Sequence, residues 1–167
     1  ETFTQIAGDQ YASLKSWHNN LDPNTFENTE VGLRYTLPNG LNFGVSAFKI
    51  DSKMAEEFPA SSGTYVHLQS ETTGFELELS GSLTEKWSIS AGYTYLDAEN
   101  VNGDRLRESP ENMFSIWNNY LISDRLALNM GIIYQDESLM RQPKSDGTTY
   151  NQKLPDYTRL DVGATYA

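Results

Sequence analysis

The chain has 167 residues, a formal net charge of −11, 38% hydrophobic residues and no cysteine. That length suits one domain. The acidic balance argues against a nucleic-acid partner, because phosphate is neutralised by clustered Lys and Arg. The missing thiols exclude disulfide staples and thiolate metal sites. No stretch approaches the roughly 18 consecutive apolar residues of a membrane helix. The start, E-T-F-T-Q, has neither the basic nor the apolar region of a signal peptide, so the expectation is a processed chain or a piece of something longer.

Residues 1–20 carry only weak strand hints at 5–7 and 11–14, followed by a loop around Trp17 and His18. Leu21-Asp22-Pro23-Asn24 reads as a turn, since Asp and Asn side chains bond nearby backbone and Pro fixes φ. From Glu30 a period of two begins. Val31, Leu33, Tyr35 and Leu37 share one face and Glu30, Gly32, Arg34 and Thr36 the other. Pro38-Asn39-Gly40 supplies a tight turn, after which Leu41, Phe43, Val45 and Ala47 oppose Asn42, Gly44 and Ser46. Phe48 and Ile50 break this phase, through either a bulge or the edge of an apolar band. Residues 54–63 read as a polar loop.

The longest signal lies at 72–99. Phe75, Leu77 and Leu79 alternate with Gly74, Glu76, Glu78 and Ser80; then Trp87, Ile89, Ala91, Tyr93 and Tyr95 alternate with Ser88, Ser90, Gly92 and Thr94. Residues 81–85 are the turn between the two arms. Both arms exceed the usual five or six residues of a strand, and long strands with one apolar face suit a transmembrane β-barrel. A polar segment at 100–111 follows, then a strand at 112–122, a turn at Ser123-Asp124 and the alternation Leu126, Leu128, Met130, Ile132, Tyr134. Residues 135–153 read as a third long loop. The last strand sets Leu160, Val162, Ala164 and Tyr166 against Arg159, Asp161, Gly163 and Thr165.

Connections therefore alternate short and long. In an up-and-down sheet this puts all short turns on one rim and all long loops on the other, as in outer-membrane barrels with short periplasmic turns and long extracellular loops. The fold class expected is all-β: an antiparallel up-and-down transmembrane β-barrel, of which about seven or eight strands are present. Eight strands could close a small barrel filled by side chains. Against that stand the small inward residues Gly32, Gly44, Ser46, Ser88, Ser90, Gly92, Gly131 and Gly163, which favour a share of a larger, plugged barrel. A soluble β-sandwich is the further alternative, and it would bury the face here assigned to lipid.

Chemistry-bearing residues are sparse. His18 and His67 lack a metal-binding spacing, and the oxygen-rich run at 97–104 lacks the ligand order of a calcium loop. Glu76 and Glu78 read as lumen carboxylates partnered by Arg or Lys on neighbouring strands. No nucleophile elbow, phosphate loop or zinc-protease motif occurs, so no enzymatic activity, metal site or cofactor is expected.

Four blocks carry a family resemblance: L-D-P-N-T-F-E-N-T-E-V-G-L-R-Y at 21–35, the stretch 73–99, E-S-P-E-N-M-F-S-I-W-N-N-Y at 108–120, and L-P-D-Y-T-R-L-D-V-G-A-T-Y at 154–166. In order and spacing they resemble the C-terminal portion of the barrel of a TonB-dependent siderophore receptor. The resemblance implies a 22-stranded bacterial outer-membrane barrel with an N-terminal plug, importing ferric siderophores with energy from the TonB complex. Residues 1–167 would then be a portion of the barrel, without plug, TonB box or terminal aromatic strand. Iron would enter only as siderophore-bound substrate, and outer-membrane lipid and lipopolysaccharide would be the surroundings. Flat, often anionic siderophore complexes suit Arg and aromatic contacts. The loop-borne candidates are Trp17, Tyr65, Arg105, Arg107, Tyr134, Arg141 and Tyr150. The alternative function is a self-contained eight-stranded outer-membrane barrel with a structural or adhesive role.

Overall fold

The alternation at Val31, Leu33 and Tyr35 belongs to β1 (Thr25–Thr36), which pairs antiparallel with β2 (Asn42–Glu57) in the computed structural model. The structure describes residues 23–57, 65–143 and 149–167, without the side chains of 55–57, 65, 66, 141–143 and 149–151. The other strands are β3 (Tyr65–Thr84), β4 (Trp87–Asn100), β5 (Asn112–Ser123), β6 (Leu126–Gln135), β7 (Ser138–Pro143), β8 (Thr149–Leu154) and β9 (Tyr157–Tyr166). Among the described residues, no element is helical.

Seven of the strands form one sheet in the order β1-β2-β3-β4-β5-β6-β9, every neighbouring pair antiparallel. β1 and β9 lie at its two edges, so the sheet is a partial barrel. Short connections at 37–41, 85–86 and 124–125 fall on one rim. The long ones at 58–64, 101–111 and 136–156 fall on the other, as the sequence predicts. The first turn is held by Leu37 N–H donating to the Leu41 carbonyl at 2.8 Å and Gly40 N–H to the Leu37 carbonyl at 2.9 Å.

Register carries the apolar face across the whole sheet. Leu33, Val45, Leu77, Tyr93, Phe114 and Tyr134 stand side by side in one row. Tyr35, Phe43, Leu79, Ala91, Ile116, Ile132 and Leu160 form the next. The other face collects Gly44, Glu78, Gly92 and Ser115 in one row, and Ser80, Ser90, Trp117, Gly131 and Asp161 in another. Burial decides what the apolar face meets. Leu33 is 67% exposed and Leu77, far from the sheet edges, still 36%. The buried residues among those described are Gly44, Ala98, Pro110, Gly131 and Ser138, and no large side chain is fully buried. A soluble sandwich would cover this face with a second sheet; here it is bare, as a lipid-facing surface must be. From Trp87 to Tyr95 and from Leu126 to Tyr134 the apolar run has about the length of 9–11 residues that a tilted strand needs to cross a bilayer core.

Several boundaries differ from the sequence reading. β1 starts at Thr25, ahead of the first alternating residue, and β2 runs to Glu57, through residues read as loop. β3 continues to Thr84 and leaves Glu85 and Lys86 as the turn. β7 and β8 form a separate two-stranded sheet inside the segment 135–153 that reads as featureless loop. All of these lie at strand ends or in short polar strands, where neither face has to be apolar and the alternation that marks a strand is lost. The weak strand hints in 1–20 lie outside the described residues.

The phase slip at Phe48 and Ile50 is no bulge, because the ladders to β1 and β3 pass through 48–50 without a register shift. It marks the edge of the apolar band. Beyond it the outward face becomes charged, with Lys49, Asp51 and Lys53, and the inward face takes Phe48 and Ile50. The register shifts that do occur lie at Ser82/Thr84 and Leu121/Ser123, both beside short turns.

Candidate functional site: the long-loop rim and the inner wall

The inner wall is polar and carries two ion pairs, Arg34–Glu78 and Arg159–Asp161, whereas the partner expected for Glu76 is not among the ion pairs of the described residues. Arg34 donates to a Glu78 carboxylate oxygen at 3.2 Å, the cross-strand partnership expected for Glu78. On the other side of the sheet Asn119 donates to Asn129 at 2.7 Å and Asn129 to the Thr165 hydroxyl at 3.3 Å, while Arg159 bonds Asp161 at 2.8 Å. Two aromatic rings interrupt this wall, each lying over a glycine of the neighbouring strand. Trp117 covers Gly131, where a Cβ would sit 2.6 Å from the indole, and Phe48 covers Gly74, with a Cβ 2.8 Å from its ring.

The outer face closes its apolar band at the long-loop rim with aromatic residues that keep a polar end. Phe75 lies 5.7 Å from Tyr93 and 5.6 Å from Tyr95, ring centre to ring centre. The Tyr93 hydroxyl donates to Asn112 Oδ1 at 2.7 Å, and Asn112 Nδ2 to Asp136 at 2.8 Å. The Tyr134 hydroxyl also donates to Asp136, at 3.2 Å. Such residues suit a membrane interface, with ring in the apolar layer and hydroxyl at its edge. The Asn112 amide foremost, then the Glu137 N–H and the Tyr134 hydroxyl, hold the Asp136 carboxyl below its ordinary range against the opposing effect of burial. Tyr134 therefore stands in the outward row and not among the loops.

Above this ring the long connections fold on one another. Asn100 Oδ1 accepts from the backbone N–H groups of Asn102 at 2.8 Å and Asp104 at 3.0 Å, and Asn100 Nδ2 donates to Asp104 at 3.2 Å. The oxygen-rich run thus serves its own turn. Arg105 ties its own loop to the next one: Nη1 pairs with Glu111 at 3.1 Å, and Nη2 donates to the carbonyls of Ser109 and Glu137, each at 3.1 Å. Lys153 forms an ion pair with Glu137 at the base of the β7–β8 hairpin.

Of the sequence candidates, Arg105 and Arg107 lie in the loop after β4, with Arg107 exposed. Tyr65 opens β3 opposite Glu57. In the β7–β8 hairpin Arg141 pairs with Asn151 and Tyr150 with Gln142. Four of the seven candidates therefore lie on the two adjoining loop elements, while Tyr134 is in the outward row of β6, Tyr65 is at the neighbouring strand end and Trp17 lies outside the described residues. The hairpin that carries Arg141 and Tyr150 escapes sequence reasoning because six-residue polar strands show no alternation. Its only sequence trace is the Lys-Ser-Asp-Gly run at 144–147, a turn signal.

The model of the TonB dependent receptor-like β-barrel matches residues 1–167, the whole chain. The chain belongs to the TonB-dependent receptor β-barrel family. It is 30% identical to the probable TonB-dependent siderophore receptor PiuA of Acinetobacter baumannii over 95% of its own length and 23% of that protein. It is 26% identical to the ferripyoverdine receptor of Pseudomonas aeruginosa, over 95% of this chain and 22% of the relative. The crystal structure of that outer-membrane receptor bound to ferripyoverdine superposes with a TM-score of 0.76 at 26% identity, over 87% of this chain and 22% of the other. The chain thus spans about a quarter of the relatives it matches. It is a segment of an outer-membrane receptor barrel, which makes the long-loop rim extracellular and the short-turn rim periplasmic.

Proposed function

We propose that this TonB-dependent receptor segment serves in the import of ferric siderophores across the bacterial outer membrane, with energy supplied through TonB. The observation that carries the reading is the match of the whole chain to the receptor-barrel family, together with its superposition on a receptor that holds a ferric siderophore. The segment's share is passive and geometric. Its inner wall, ion-paired at Arg34–Glu78 and Arg159–Asp161, lines the lumen, and its loop elements form part of the extracellular mouth. Iron arrives only inside the chelate, so neither a resident metal nor a cofactor enters the scheme, and no bond of the siderophore is made or broken by this chain. Contact with TonB would fall to a plug domain, since the described strands of this chain form barrel wall. Trp17, Tyr65, Arg107, Arg141 and Tyr150 remain the candidate chelate contacts, and outer-membrane lipid and lipopolysaccharide surround the outward face.

The test is uptake of radioactive iron by iron-starved cells carrying the full receptor as their sole siderophore receptor. They would be supplied in turn with a tris-catecholate, a trihydroxamate and a pyoverdine-type chelate. Uptake of at least one, abolished by loss of TonB, is expected; uptake of none, or uptake that persists without TonB, contradicts the reading.

A further inference from the structure

Three of the five buried positions among the described residues, Ala98, Pro110 and Ser138, come from three different segments of the extracellular rim. They come from the end of β4, the loop that follows it, and the base of the β7–β8 hairpin. Backbone bonds stitch the same segments together. Leu106 N–H donates to the Ala98 carbonyl at 2.7 Å, and Glu108 N–H to the Leu139 carbonyl at 2.7 Å. Glu108 accepts the left-handed backbone conformation, φ 59°, in making that bond. Such conformations persist where the surroundings over-determine them. The side chain that joins the loop to the hairpin base is Arg105. Its two terminal nitrogens hold Glu111, Ser109 and Glu137, and the side chain is only 25% exposed. A planar guanidinium with several donors in fixed directions can satisfy such a set, whereas a lysine ammonium is a single point charge without that fork.

We infer that Arg105 is a positioning residue and not a chelate contact: it clamps the loop at 101–111 to the base of the β7–β8 hairpin, so that the two extracellular elements present their surfaces to the ligand as one body. The inference rests on the siderophore-receptor reading for the word ligand, and on the geometry alone for the clamp. Two elements fixed before binding do not have to be ordered by the ligand, and preorganisation of this kind preserves affinity. Arg107 and the hairpin residues Arg141 and Tyr150 would then act on a shared platform whose spacing Arg105 sets.

The experiment uses the full receptor in detergent or outer-membrane vesicles, as wild type, Arg105→Met, Arg105→Lys, and Arg105→Met carrying the cross-link Glu108→Cys with Leu139→Cys. Amide hydrogen exchange is read first, without ligand. Arg105→Met is expected to speed exchange about tenfold or more in both 105–111 and 137–140, with the cross-link reversing the change. Acceleration in neither segment, or in one alone, overturns the clamp. Binding of the iron(III) complexes of a tris-catecholate, a trihydroxamate and a pyoverdine is then measured by fluorescence quenching. For the chelate that binds, Arg105→Met is expected to lower affinity about tenfold, Arg105→Lys to recover little of it, and the cross-link to restore it. Loss of affinity that the cross-link leaves unrepaired makes Arg105 a direct contact and overturns the inference, as does unchanged affinity in Arg105→Met. Should wild type bind none of the chelates, the siderophore reading fails, and the exchange data alone decide the clamp.

Discussion

The lower and upper halves of the same strands obey opposite rules. Within the apolar band, β2 and β3 send Phe43, Val45, Leu77 and Leu79 outward and keep Gly44, Ser46, Glu76 and Glu78 inside. Above it, these strands send Lys49, Asp51, Lys53 and Glu71 outward, while Phe48 and Ile50 face in beside Gly74 and Thr72. The backbone ladder does not change, so the inversion reports a change of surroundings and not of structure. A side chain is apolar where it meets lipid or packs on a neighbouring strand, as Phe48 does over Gly74, and charged where it meets water. Glu27, Asp51, Glu71 and Glu99 even stand in one cross-strand row, an arrangement of like charges that is destabilising when left alone. Lys49 offsets part of it by pairing with both Asp51 and Glu71, and water screens the rest.

This contrast gives its largest effect when an arginine is placed in either half. Met130 faces outward within the band, opposite Val162 and Asn118. Met130→Arg is expected to cost roughly 2–4 kcal/mol of folding free energy in lipid, and Gln69→Arg, above the band, about 0–1 kcal/mol. Denaturant titration in vesicles measures both, and equal costs would erase the boundary. A smaller effect separates two glycines of the inner wall. Gly131 lies under the Trp117 ring, whereas nothing comes within 4 Å of a Cβ at Gly163. Gly131→Ala should cost about 1–3 kcal/mol by overpacking and Gly163→Ala close to nothing, as read from melting temperatures. Similar shifts for the two would mean that the indole yields freely.

The smallest effect is one of pH. Because the folded state holds Asp136 below the ordinary carboxylate range, its contribution is complete above the unfolded value. It is lost as pH falls through the depressed folded one. Thermal stability of Asp136→Asn should therefore differ from wild type most at neutral pH and converge with it in strong acid; a gap that widens on acidification reverses the sign.

How much of this was legible in the sequence follows the same boundary. Inside the band one face must be apolar, so Phe75, Leu77, Ile89, Met130 and Val162 announced their strands, their facing and, through the sorted connections, the topology. Outside it no face is under that constraint. The upper end of β2 reads as loop, β7 and β8 read as nothing, and the slip at Phe48 reads equally as a bulge. Arg105 was visible as a loop arginine, but its bond to the Glu137 carbonyl depends on a long-range loop contact that no local pattern encodes. The lumen pair Arg34–Glu78 was legible in kind, since barrel interiors are polar and Glu78 needed a cation, though not in the choice of partner.

A nitroxide scan along the outward positions of β3, from Gln69 through Glu71, Thr73, Phe75, Leu77 and Leu79, tests the central claim most directly. The full receptor in lipid is probed with dissolved oxygen and with a water-soluble nickel chelate. The account predicts that Phe75, Leu77 and Leu79 favour oxygen, that Gln69 and Glu71 favour nickel, and that the crossover falls at Thr73. Uniform preference along the strand, or labels at Phe75 and Leu77 shielded from both reagents, would contradict it.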